Sequence, residues 1–170
     1  MNIQDLGSLG ELIAAIATVG TLFYLAYQIK QSTLHSRAYT QRDILKEVIS
    51  DHSKSAQLSS ITRRGLSEFA DLNGNEKLEF AGIMVALTAT FESSLRLYRS
   101  GLVDKDLFTA HRAWILSWLT SPGGIQWWNT EKQIFSLDVR EYISSAINDK
   151  IDLPTPITES IPFYGLIDGE

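Results

Sequence analysis

The chain has no cysteine, and its 170 residues include only 4 prolines, 11 glycines and 3 histidines. Without cysteine there is no disulfide scaffold, thiolate zinc site, iron–sulfur cluster or cysteine nucleophile. So little proline and glycine excludes a collagen-like or low-complexity chain, and 170 residues at 44% hydrophobic content suffice for one domain with a sizeable core. Positive charge is also scarce. Lys and Arg number 15 against 20 Asp and Glu, a formal charge of −5, which argues against a general nucleic-acid binder.

The motifs of common chemistries are missing as well. There is no phosphate loop, Rossmann glycine series or Gly-x-Ser-x-Gly elbow. His35, His52 and His111 lie far apart in HExxH-free surroundings, and the Glu-x-x-His pairs of ferritin-like sites do not occur. No metal, no cofactor and no catalytic residue is expected, and with no nucleophile–base pair an enzyme is not the expected class.

What is present is uneven. From Leu12 to Ile29 there are 18 residues without a charge, and 14 of them are apolar. At about 1.5 Å per residue the run spans roughly 27 Å, and Leu6 to Gly10 extend it past the roughly 30 Å hydrocarbon thickness of a bilayer. Asp5 and Glu11 precede it, whereas Lys30, Arg37, Arg42 and Lys46 follow, against Asp43 and Glu47. Basic residues stay on the cytoplasmic side, so the favoured topology is a single pass of the inner (cytoplasmic) membrane, with the N-terminus outside and the body cytoplasmic. Tyr24 and Tyr27 fall at the cytoplasmic end, where aromatic rings sit at headgroup level. A cleavable signal peptide fits less well, because the basic n-region is missing, a signal's apolar core is usually shorter, and no small-x-small site lies at the C-terminal end of the run. A helix apolar all round also suits the centre of a large soluble assembly. Gly10, Ala14, Thr18 and Thr21 share one face in the small-xxx-small pattern of closely packed membrane helices, which makes self-association or pairing with another membrane subunit the first expectation.

The remainder reads as helix. No proline occurs from Gln31 to Thr120. The first helix is expected from about Asp5 to about Ser50, its later part a stalk with Leu34, Ala38, Leu45 and Val48 on one face, interrupted by Gln41. A second is expected from about Ser53 to Leu72, with Leu58, Ile61, Gly65, Phe69 and Leu72 on one face. Asn73 and Glu76 resemble a capping box for a third, about Asn75 to Ser100. Its stripe of Phe80, Met84, Leu87, Phe91, Leu95 and Tyr98, widened by Ile83, Val85 and Ala89, predicts burial on most sides. Gly101 reads as a left-handed C-cap and Asp104 as the N-cap of a fourth helix. Ser121 and Pro122 open a fifth through Trp127, Trp128 and Glu131, and Ser136 opens a sixth.

From Ile151 onward Pro154, Pro156 and Pro162 rule out a long helix. The apolar Ile151, Leu153, Ile157, Ile161, Phe163, Tyr164, Leu166 and Ile167 predict an extended segment lying on this protein's own helices or on a neighbour's. With Asp152, Glu159, Asp168 and Glu170 this segment carries −4, the N-terminal Asp5 and Glu11 carry −2, and the body between them carries +1.

Two groups of side chains invite a functional reading. Glu92 follows the charge-free stretch of the third helix, with Arg96 one turn later, and Arg64 or Arg63 within reach from the second helix. Together with His111 and Arg112 they read either as a ligand pocket or as a structural ion pair at a bundle edge. Trp114, Trp118, Trp127 and Trp128 form an aromatic cluster that suits a bundle core, a headgroup belt or a cation-binding site.

Leu9 to Ile13 (LGELI), Tyr24 to Gln31 (YLAYQIKQ), Arg63-Arg64-Gly65-Leu66, Phe91-Glu92, Tyr98 to Leu102 (YRSGL) and the Trp127-Trp128 pair together resemble an uncharacterised bacterial family of small proteins with one N-terminal membrane helix and a helical cytoplasmic domain. The resemblance extends to about Ile147, excludes the tail, and implies architecture without a mechanism. The expectation is therefore an all-α protein: a long N-terminal transmembrane/stalk helix, a small helical bundle and an extended C-terminal tail. Its divisions are residues 1–30 as membrane helix, 31–150 as cytoplasmic domain and 151–170 as tail. The expected role is a membrane-anchored interaction or assembly protein, with a ligand sensor or effector as the alternative. Its expected partners are membrane lipid and itself or another membrane subunit, and not nucleic acid.

Overall fold

A computed structural model describes residues 3–57, 59–150 and 152–164. The expected contributions of Leu58, Ile151, Leu166, Ile167, Asp168 and Glu170 lie outside them. Among the described residues all regular structure is helical. It comprises α1 (Ile3–Gln57), α2 (Ser59–Ser67), α3 (Gly74–Arg99), α4 (Lys105–Leu119), α5 (Pro122–Glu131), α6 (Leu137–Asp149) and α7 (Ile157–Ser160), with short 3-10 turns at Phe69–Asp71, Lys132–Ile134 and Pro162–Tyr164. The all-α expectation holds. The chain forms two compact units, Met1–Thr40 and Gln41–Glu170.

The first unit is helix alone, the leading part of α1. It is held by its own ladder, and the Thr18, Thr21 and Thr33 hydroxyls satisfy themselves by donating to the Ala14, Ala17 and Ile29 carbonyls at 2.8, 2.8 and 2.9 Å.

In the second unit the last part of α1 lays Ile44 and Val48, one turn apart, on the core, while Leu45 stays exposed. Of the expected stripe only Val48 packs on the core: Leu34, Ala38 and Leu45 are exposed, and Ile44 is buried instead. Gln41, expected to interrupt that face, is a contact instead: its amide donates to the Asp104 carboxylate at 2.8 Å. The first helix also runs past Ser50 to Gln57, because no Gly or Pro breaks it, and Ser53 donates back to the Ile49 carbonyl at 3.0 Å instead of capping a new helix. Conversely, α2 ends at Ser67, short of the expected Leu72, where Glu68 turns extended before the 3-10 turn.

Helix α3 begins at the expected capping box: Asn73 Oδ1 accepts from the Asn75 and Glu76 amides at 3.0 and 3.1 Å, and Glu76 accepts from the Asn73 amide at 3.0 Å. It ends at Gly101, φ +74°, with Leu102 N–H donating to the Leu97 carbonyl and Gly101 N–H to the Tyr98 carbonyl, a Schellman closure. Phe80, Ile83, Met84, Leu87, Phe91 and Leu95 are buried, whereas Ala89 and Leu78 are exposed. The expected burial on most sides therefore narrows to one face, because small residues occupy much of the other. Phe91 sits among rings, with its centroid 5.9 Å from Phe108, 5.7 Å from Tyr142 and 5.7 Å from His111.

Asp104 caps α4 by accepting from the Leu107 amide at 2.8 Å, and Ser121 caps α5 with Pro122 in its first turn. Helix α5 meets α2 backbone to backbone. A Cβ on Gly123 would lie 1.8 Å from the Gly65 carbonyl oxygen, and one on Gly65 would lie 2.3 Å from the Phe80 ring, so neither position has room for a side chain. The last described segment departs from the expected extended form. It contains the single turn α7 and a 3-10 turn, packs on α2 and α4 of its own domain, and buries Ile157 and Tyr164. Arg112 holds its start by donating to the Asp152 carbonyl at 3.1 Å.

Candidate membrane anchor and functional surfaces

Among the described residues two helices are long and apolar enough to cross a membrane, α1 over Leu9–Ser50 and α3 over Gly74–Arg99. They differ in burial: none of the apolar window of α1 is buried, against 44% of that in α3. Leu12, Ile13, Ile16, Val19, Leu22, Phe23, Leu25 and Ile29 expose 46% to 74% of their surface and point to all sides of the helix. Soluble monomers seldom leave so continuous an apolar surface in water, whereas hydrocarbon accepts it provided each backbone group is paired within the helix. The Thr18 and Thr21 hydroxyls meet the same demand through their carbonyl partners. Gly10, Ala14, Thr18 and Thr21 are exposed along this helix, with open space around Gly10. The helix is consistent with a membrane anchor.

The polar residues singled out in the helical domain are dispersed. Arg96 pairs with Glu92 at 2.6 Å one turn away on α3. Burial on its own pushes the Glu92 carboxyl up, but hydrogen bonds from Ser136 and Arg96 outweigh it and hold the group below the ordinary glutamate value. The result is an ionised carboxylate paired with Arg96 along α3. Arg64 is engaged elsewhere, paired with the capping-box Glu76, whose carboxyl is lowered first by that hydrogen bond and then by the Asn73 amide. Arg63 is half-buried on α2. His111 is buried edge-on to Phe91, and Arg112 is engaged with the tail. These six residues do not converge on one cavity.

The tryptophans form two groups. Trp114 and Trp118 on α4 lie 5.7 Å apart, and Tyr164 stands edge-on to Trp118 at 5.3 Å. Trp127 and Trp128 on α5 pack at 6.4 Å and share Phe135. Trp118, Trp127 and Trp128 are buried, so they act as core, while Trp114 is half-buried.

Two concave surfaces lie on the helical domain, and the second of them includes His111 and Trp114. An open groove of about 800 Å³ is lined by Phe69, Lys77, Leu78, Gln126, Thr130 and Glu131 among others, with the Lys77 ammonium 5.7 Å above the Phe69 ring. One wall is braced by Gln126, which donates to Glu68 and accepts from the Ala70 amide at 3.0 Å. A smaller hollow of about 240 Å³ lies between Ile44, Leu45 and Val48 of α1 and Leu107, Ala110, His111 and Trp114 of α4. Sequence reading missed the first and, of the second, singled out only His111 and Trp114, since each joins residues distant in the chain. The one local signal was Pro122-Gly123-Gly124, whose two adjacent glycines mark the close approach of α5. Among the described residues no cluster of three or more His, Asp or Glu side chains could hold a metal ion.

Fold and surface thus define an all-α helical domain whose first helix continues from an exposed apolar segment of membrane-spanning length. No family model, curated protein or solved structure matches the chain.

Proposed function

We propose that the protein is a single-pass membrane-anchored helical interaction and assembly protein, a subunit of a homo- or hetero-oligomeric complex of the inner membrane. Its N-terminus lies outside and its helical domain in the cytoplasm. The observation that carries this reading is the unburied apolar surface of α1 between Leu12 and Ile29. The orientation is supported by Lys30, Arg37, Arg42 and Lys46 after the apolar run and by Asp5 and Glu11 before it. Association with a second copy or another membrane subunit is supported by the small-residue face at Gly10, Ala14, Thr18 and Thr21. The resemblance to the bacterial family with one N-terminal membrane helix agrees with it. The protein stays in the membrane pellet through a carbonate wash, its domain is cut by protease only from the cytoplasmic side, and its mass in mild detergent is multimeric. Release into the wash overturns the anchor, and a monomer overturns the assembly role.

The groove over Phe69 and Lys77 supports a second reading, a membrane-anchored ligand sensor or effector. A thermal-shift screen against metabolites and nucleotides decides it, since a ligand that binds the folded state raises the melting temperature with concentration.

A further inference from the structure

We infer that the polar end of the apolar segment, Tyr24 to Arg37 on α1, is a binding collar for anionic phospholipid headgroups. The inference rests on the membrane-anchor reading and adds the lipid class. Its side chains supply donors and positive charge but no carboxylate: the chain has no Asp or Glu between Glu11 and Asp43. Gln28 donates to the Tyr24 phenol oxygen at 2.7 Å and Gln31 to that of Tyr27 at 2.9 Å, which leaves each phenol hydrogen free to donate to a further acceptor. Lys30 and Arg37 are exposed and have no ion-pair partner among the described residues. In the helical domain, by contrast, Arg64, Arg96 and Arg99 each meet a carboxylate, Glu76, Glu92 and Asp138.

Placement supports an anion at this level. Tyr24, Tyr27, Gln28, Lys30, Gln31 and Arg37 fall within about half of the helix circumference at about 3.6 residues per turn. Helical Cα–Cβ bonds tilt toward the N-terminus, so the long Lys30 and Arg37 side chains lean back toward the tyrosines and the apolar run. A phosphate at the hydrocarbon edge therefore meets cations from one side and phenol and amide donors from the other. The anion is assigned to a phospholipid because the apolar residues that would sit among acyl chains begin within one turn of Tyr27, at Leu25 and Phe23.

The test uses the full chain reconstituted in phosphatidylcholine vesicles that carry a trace of spin-labelled phosphatidylglycerol or spin-labelled phosphatidylcholine. Flotation after a carbonate wash comes first, and then the motionally restricted fraction of each label is read. Phosphatidylglycerol is preferred by about fivefold for each cation that reaches a phosphate. The preference falls to parity in Lys30→Gln/Arg37→Gln and persists in the control Lys105→Gln/Lys132→Gln. Parity in the unaltered chain, or an unchanged preference in the collar variant, overturns the inference. Competition by inorganic phosphate beyond that of sodium chloride at equal ionic strength assigns the anion to solution and overturns the lipid assignment. Loss of the chain from the vesicles at the flotation step overturns the anchor reading itself, and the inference with it, so the two failures are told apart.

Discussion

Helices α1 and α3 each contain a charge-free stretch, Leu12 to Ile29 in one and Phe80 to Phe91 in the other, and both helices satisfy the length and composition of a membrane span. In α3 the large side chains Phe80, Met84, Leu87, Phe91 and Leu95 recur on one face, and Gly82 and Ala89 lie on the exposed one. In α1 large apolar side chains surround the helix at Leu12, Ile13, Ile16, Val19, Leu22 and Phe23, and all are exposed. Apolar content is therefore common to both. The distribution of bulk around the axis separates a helix that covers one face with protein from one whose apolar surface is open on every side, which is consistent with a membrane anchor.

Five substitutions test this contrast, from the largest effect to the smallest. Phe91→Ala removes a fully buried ring from the α3 face and costs the domain about 3–5 kcal/mol in denaturant unfolding, whereas Phe23→Ala, 74% exposed on α1, leaves domain stability within about 0.5 kcal/mol. Equal losses at the two phenylalanines would erase the distinction. Val19→Asp places a charge mid-way along the α1 run and costs about 2.5–3.5 kcal/mol of membrane insertion, seen as an increased carbonate-extractable fraction with the domain's melting unchanged. Gly123→Ala sets a methyl against the Gly65 carbonyl and destabilises the domain by about 1–3 kcal/mol without altering membrane retention.

The smallest effect concerns pH. Glu92 and Glu76 both sit below the ordinary glutamate value when folded. Their stabilisation is thus present above the unfolded-state value and is lost as pH falls through the lower folded value. In Glu92→Gln the acid side of the stability profile becomes shallower, and an unchanged profile would leave the Glu92–Arg96 pair no part in acid stability.

Legibility in the sequence followed the range of the interaction. Helix ends governed by one or two nearby side chains were readable: the Asn73–Glu76 box, Gly101, Asp104, and Ser121 with Pro122. The join between α1 and α2 was misplaced because Asp51 to Gln57 contains no breaking residue and a serine that bonds inward imitates a cap. The partners of polar groups were harder to read. Glu92 with Arg96 follows from i, i+4 spacing, but Arg64 with Glu76 and Gln126 with Glu68 arise only when α2, α3 and α5 come together. Gly65 meeting Gly123 was illegible for the same reason: the sequence shows two glycines 58 positions apart, and only the crossing of their helices makes each indispensable to the other.

All four tryptophans lie in the helical domain, and α1 carries none, only phenylalanine and tyrosine. The molecule is thereby divided optically as well as structurally. Emission from the buried Trp118 and Trp127 is blue-shifted while the domain is folded and moves to the red when it opens, and on the proposed anchor a quencher carried near the lipid headgroups dims tyrosine light from Tyr24 and Tyr27. One sample in vesicles, excited at two wavelengths, separates the melting of the bundle from the departure of the anchor without any added label.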